Sequence, residues 1–158
     1  MRKGGNERME LILWRHAEAA DGTPDAERRL TTKGRRQAKR VAQWLGERLP
    51  KGTRVLASPA RRAQQTARVL VPDFETVAAL DVGAAPEAVL ATCGWPEAEA
   101  TVVVVGHQPT LGQAAALALT GRVQDWSLKK GALVWLESRV RGGARQVLLR
   151  AAIGPDLA

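Results

Sequence analysis

Two histidines occur among the 158 residues, and each closes an apolar run. His16 ends Leu11-Ile12-Leu13-Trp14-Arg15-His16, and His107 ends Thr101-Val102-Val103-Val104-Val105-Gly106-His107. Arg15 adjoins the first imidazole. A guanidinium presents a planar fork of donors matched to phosphate oxygens. An imidazole can attack phosphorus when its other ring nitrogen is held as a donor. In isolation an Arg-His dipeptide is also compatible with a structural pair at a strand end. A second cluster, Ser58-Pro59-Ala60-Arg61-Arg62-Ala63-Gln64-Gln65-Thr66, follows another short apolar run. It falls at a predicted helix start, where free backbone amides and the helix dipole favour an anion and disfavour cations. Two arginines there are unfavourable unless an anion sits nearby. Gly106-His107-Gln108-Pro109 is the third piece, although His107 alone could equally be a hydrogen-bonded histidine at a strand end. Three strand ends converging on one chemistry point to a site for a phosphoryl group.

Strand-like runs alternate with helical patterns along most of the chain, which is the signature of a βαβ protein. The pattern predicts strands over Glu10–Arg15, Thr53–Ala57, Thr101–Val105, Ala132–Glu137 and Gln146–Ala151, with a weaker one over Phe74–Ala78. The last two read as a hairpin around Gly142-Gly143. Helices are predicted from a Thr32 cap to about Leu49, from a Ser58 cap to Pro72, over Pro86–Cys93, and from Pro109 to about Leu119. Ala38, Val41, Ala42, Leu45 and Leu49 share one face of the first helix. Trp14, Trp44 and Trp135 are expected in or at the edge of the core, while Trp95 and Trp126 fall in loops and could rim a protein-docking groove. Loops at the carboxyl ends of strands are where an open α/β sheet carries its chemistry, so this order of elements would gather Arg15, His16, the Arg61-Arg62 pair and His107 at one edge.

Composition sets limits on these readings. A hydrophobic content of 45% with 25% charged residues is that of a globular chain. A single cysteine, Cys93, cannot form an internal disulfide and suits a reducing compartment. No apolar run approaches the roughly 20 residues of a membrane span, and Met1–Arg8 lacks a signal-peptide core. The expectation is therefore a cytoplasmic protein with no membrane partner, and a flexible N-terminal extension over residues 1–8. A net charge of +8 suggests an anionic partner, although most of the basic residues are scattered over helix faces as solvated charge.

Four segments in order resemble the histidine phosphatase superfamily, the phosphoglycerate mutase-like proteins: Arg15-His16-Ala17-Glu18-Ala19, Leu30-Thr31-Thr32-Lys33-Gly34, Ser58–Ala67, and Val105-Gly106-His107-Gln108-Pro109. Within that superfamily the chain is most similar to the SixA-type phosphohistidine phosphatases, and Lys130-Gly131-Ala132-Leu133 resembles a late strand of that group. The resemblance implies a three-layer α/β/α sandwich with a mostly parallel central sheet and a single catalytic domain over residues 9–158. It makes His16 the nucleophile that is transiently phosphorylated, with Arg15, Arg62 and His107 completing the catalytic phosphate pocket. Arg61, about 100° round the helix from Arg62, is expected to be peripheral. Ser58 is read as a helix cap rather than a catalytic group, and Glu18 as a surface or supporting residue.

The implied activity is hydrolysis of phosphohistidine on a partner protein, with no cofactor and no metal. Larger relatives use an acid near the third strand to protonate the leaving group. Asp81 and Glu87 lie there, but neither stands in a convincing motif. Two alternatives remain open: a small-molecule phosphomonoesterase of the same superfamily, and a non-catalytic phosphate- or nucleic-acid-binding module. Nucleic acid is the less favoured partner, because the basic residues lack interleaved aromatics. A monomer is the default expectation.

Overall fold

A computed structural model describes residues 7–158. Six strands, β1 (Arg8–Arg15), β2 (Arg54–Ala57), β3 (Glu75–Thr76), β4 (Thr101–Gly106), β5 (Leu133–Arg141) and β6 (Ala144–Ile153), form one sheet in the order β3-β2-β4-β1-β5-β6. The first four in this spatial order run parallel, β5 runs antiparallel to β1, and β6 turns back antiparallel to β5. Four helices flank the sheet: α1 (Thr32–Gly46), α2 (Arg61–Leu70), α3 (Pro86–Cys93) and α4 (Thr110–Thr120).

The strand period of two explains why the central strands read as unbroken apolar runs. Leu11 and Leu13 of β1 and Val102 and Val104 of β4 face one way, packing with Val89 and Leu90 of α3 and Leu111 of α4. Ile12, Trp14, Val103 and Val105 face the other way, onto Val41 and Leu45 of α1 and Ala63 and Ala67 of α2. Both faces are covered, as a three-layer sandwich requires. Trp14 and Trp135 are buried and Trp44 packs against their cluster. Trp95 and Trp126 are half-buried against the other cluster, so core packing already occupies much of their surface.

Several boundaries depart from the sequence reading. Residues 1–6 of the expected extension lie outside the described residues, and Arg8 already belongs to β1, paired with Arg139 and ion-paired with Glu137 at 2.6 Å. Thr31, not Thr32, caps α1, its hydroxyl accepting from the Gly34 N–H at 2.9 Å. That helix stops at Gly46 rather than near Leu49, although the Leu49 N–H still donates to the Leu45 carbonyl. The expected third strand shrinks to Glu75–Thr76, and a 3-10 turn over Ala78–Leu80 follows it. Ser58 does not cap α2. The helix begins at Arg61 with Ala60 at its N-cap, leaving Ser58 free for another partner.

Candidate active site

Parallel pairing of β2, β4 and β1 sets three chain ends side by side. Arg15 is in register with Gly106, and Ala57 with Val105. One step further, the His16 N–H donates to the Gly106 carbonyl and the Ser58 N–H to the Val105 carbonyl, both at 3.0 Å. His16, Ser58 and His107 are therefore neighbours at the carboxyl edge of the sheet, and all three are buried. The two imidazoles lie 5.2 Å apart between centroids.

The tautomer of His16 follows from its contacts. Its Nδ1 lies 2.7 Å from the Ala17 carbonyl oxygen, a group that can only accept, so Nδ1 carries the proton. Arg62 Nε donates to His16 Nε2 at 3.4 Å, which requires a lone pair there. Nε2 thus carries the lone pair and faces the Arg62 guanidinium. Burial, together with the positive charges of Arg62 and Arg15, pushes the His16 pKa down to about 3. Burial and Arg62 likewise take His107 down to about 4. Both imidazoles are neutral near pH 7, as a nucleophile requires.

Arg62 is 4% exposed, on the inward face of α2, whereas Arg61 is exposed as its position round the helix predicts. Besides touching His16, Arg62 donates from Nη1 to the Asp25 carbonyl at 2.9 Å and from Nη2 to the Asp25 carboxylate at 3.1 Å. Arg28 reaches the same carboxylate, and these two guanidinium contacts hold Asp25 below the usual carboxylate range. Nothing in the sequence marks Asp25, which stands in the polar, turn-rich stretch Asp21-Gly22-Thr23-Pro24-Asp25. Arg15 donates from Nη1 to the Leu128 carbonyl at 2.7 Å, and its Nε is buried with no partner among the described residues.

Ser58 is a site residue rather than a cap. Its oxygen accepts from the Ala60 N–H at 3.1 Å and lies 2.8 Å from His107 Nε2. When the hydroxyl donates to Nε2, the imidazole proton sits on Nδ1, a buried atom with no partner among the described residues. Of the two candidate acids, Asp81 is exposed but close enough for its charge to raise the His107 pKa, while Glu87 has no such influence on either histidine. No group of three or more His, Cys, Asp or Glu converges as a metal-ligand set among the described residues.

The loop after His16 is fixed by side chains from two helices. Thr66 of α2 accepts from the Ala17 N–H at 3.1 Å and donates to the Arg62 carbonyl at 2.8 Å. Gln37 of α1 accepts from the Glu18 N–H at 2.9 Å, and Gln65 of α2 accepts from the Leu30 N–H at 2.8 Å. Gln64 donates to the Ser58 carbonyl at 2.7 Å. The Gln-Gln-Thr sequence after Arg62 is therefore a set of backbone clamps around His16 and the segments beside it, a role its polarity in the first turns of a helix only hints at.

This arrangement agrees with the relationships of the chain. A family model described as histidine phosphatase superfamily (branch 1) matches residues 11–81. An uncharacterized protein of Picosynechococcus sp. is 38% identical over 148 residues, covering 87% of this chain and 88% of that protein. The phosphohistidine phosphatase SixA of Escherichia coli is 33% identical over 121 residues, covering 68% of this chain and 73% of that one. A solved structure of the protein histidine phosphatase SixA complexed with tungstate superposes with a TM-score of 0.76 at 25% identity, over 94% of this chain and 98% of that one. The chain belongs to the histidine phosphatase superfamily and is SixA-like within it.

Proposed function

We propose that the protein hydrolyses phosphohistidine on a partner protein through a phosphorylated His16. The observation that carries this reading is the bond from His16 Nδ1–H to the Ala17 carbonyl, which leaves Nε2 bare inside a cationic pocket. His16 Nε2 attacks phosphorus in line, the substrate P–N bond breaks, and the departing imidazole takes its proton from solvent. Arg62, Arg15 and the His107 Nδ1–H spread the charge on the equatorial oxygens. Water then attacks phospho-His16, the P–Nε2 bond breaks, and orthophosphate leaves with the free imidazole restored.

The leaving group favours a phosphoramidate over an ester. A phosphohistidine ring is protonated before it departs far more readily than the bridging oxygen of an ester, and imidazole is a much better leaving group than an alkoxide. The phosphoramidate therefore needs no buried carboxylic acid, and the site holds none among the described residues. Asp25 is kept ionised by Arg28 and Arg62, and Asp81 is exposed. The phosphohistidine phosphatase name of the Escherichia coli relative and the tungstate complex of the solved one, tungstate being a tetrahedral oxyanion, support the same reading. A phosphomonoesterase is the second reading, favoured by the electrostatic reach of Asp81 to His107.

Release of phosphate from a phosphohistidine protein domain, measured beside a panel of phosphomonoesters, separates the two. Preference for phosphohistidine, abolished in His16→Ala, is expected. Turnover of esters alone would select the second reading, and turnover of neither would leave a binding module. Because side-chain cations supply the charge neutralisation, a chelator is expected to leave the rate unchanged. Loss of activity on chelation would instead call for a metal.

A further inference from the structure

The flank of the active site carries more positive charge than the site itself uses. An open groove of about 530 Å³ begins at Arg15 and is lined by Glu18, Lys33, Gln37, Lys129 and Lys130. It continues along α1 into a second stretch of about 570 Å³ that adds Arg36 and Arg40. Lys33, Arg36 and Arg40 recur at helical spacing on one face, a stripe roughly 10 Å long at the rise of an α-helix. Only two acids, Glu18 and Asp156, line the whole trough. Lys33 lies 3.9 Å from Glu18, and Arg40 contacts only the Pro155 carbonyl. Arg36, Lys129 and Lys130 make no ion pair among the described residues.

These cations are exposed, so each alone is worth little. Together they converge on one trough that opens beside the phosphoryl pocket, sharing Arg15 with it. A polypeptide carrying a phosphorylated side chain into the site would lie along this trough. A single-stranded nucleic acid would also meet the charge, but it binds through aromatic stacking platforms as well, and no aromatic residue lines either stretch.

We propose that this groove docks an acidic segment of the phosphorylated partner, its carboxylates seated on Lys33, Arg36, Arg40, Lys129 and Lys130 while the phosphorylated side chain enters beside Arg15. The proposal rests on the phosphohistidine reading and adds the chemistry of the partner's surface. Electrostatic complementarity of this kind raises association rates and sets partner choice.

The test uses the intact protein, two synthetic phosphohistidine peptides that differ only in Glu or Gln flanks, and phosphoramidate as a substrate too small to reach the groove. At low salt the Glu-flanked peptide is expected to be turned over with a kcat/KM about 10-fold higher or more, a preference that fades at high ionic strength. The variant Lys33→Glu/Arg36→Glu/Arg40→Glu is expected to hydrolyse phosphoramidate at the wild-type rate, which also certifies its fold, and to disfavour the Glu-flanked peptide. Equal turnover of the two peptides by the wild type, or a preference that survives in the variant, would overturn the groove's role. So would an oligonucleotide that displaces the Glu-flanked peptide at lower concentration than an unphosphorylated peptide of the same sequence. Failure to hydrolyse phosphoramidate or either peptide would remove the underlying phosphohistidine reading instead.

Discussion

Arg62 meets three groups at once, and one of them is a carboxylate. Its Nε faces His16, while Nη1 and Nη2 are turned to Asp25. A phosphoryl group bound at His16 needs those donors and must approach a negative charge to reach them. Asp25 is exposed, so the pair contributes little to stability, but it competes directly with the anion. Asp25→Asn keeps the shape and removes the charge. We expect it to tighten binding of orthophosphate or tungstate by about two- to fivefold, the range of an exposed ion pair, measured by calorimetry. Weaker binding would mean that the carboxylate serves the ligand by holding the guanidinium in place. This contact also marks the limit of the sequence. Arg15, His16, Arg62 and His107 could be picked out because each stands at a strand end or in a short motif. Asp25 and Ser58 could not, because their roles arise from pairings 37 and 49 residues apart in the chain.

The two helices on one face of the sheet act as a frame for the reactive loop, and Gly34 shows how closely. A Cβ at Gly34 would fall well inside van der Waals contact with the Glu18 carbonyl oxygen, which also accepts from the Thr31 N–H at 3.0 Å. Helix propensity alone would make Gly34→Ala stabilising by about 1 kcal/mol. The steric cost of overpacking, about 1–3 kcal/mol, opposes it, and a backbone carbonyl cannot swing aside as a side chain can. The net expectation is a loss of stability in denaturant melts of up to about 2 kcal/mol, together with a fall in kcat as α1 pushes the loop away from His16. A stabilised variant with unchanged kcat would show that the helix and loop are not in register with the chemistry. The order and type of elements were legible because both faces of β1 and β4 are buried and α1 has a clean apolar stripe. The ends were not. Thr31 and Thr32 offer the same hydroxyl, and only the approach of the Glu18 loop selects the first. Likewise Ser58 is a good cap by residue type, yet His107 claims its oxygen from across the sheet.

At the scale of the whole molecule, both histidines of the chain lie in one buried, cationic site, so the acid response of the fold reads that site directly. Folding takes His16 from an ordinary value of 6.5 to about 3 and His107 to about 4, in each case mainly through burial. Between those values and 6.5 the unfolded chain binds protons that the folded chain refuses. Stability is therefore complete above pH about 6.5 and is lost as the pH falls toward about 4 and then about 3. Asp25, also depressed, adds a loss in the same direction as the pH falls below its ordinary value of 3.8. The expected fall in Tm between pH 7 and pH 5 is on the order of 5–10 °C for a chain of this size, measured by calorimetry at constant ionic strength. A His16→Asn/His107→Asn variant should lose most of that slope even if its Tm at pH 7 is lower. A flat wild-type curve would mean that both imidazoles titrate as in water and that burial does not set their protonation. Saturating tungstate carries the test further. A dianion seated between the two imidazoles favours their protonated forms and lifts both pKa values toward the unfolded one, so the acid loss should shrink with the ligand bound. An anion held elsewhere on this basic surface would raise Tm equally at every pH and leave the slope unchanged.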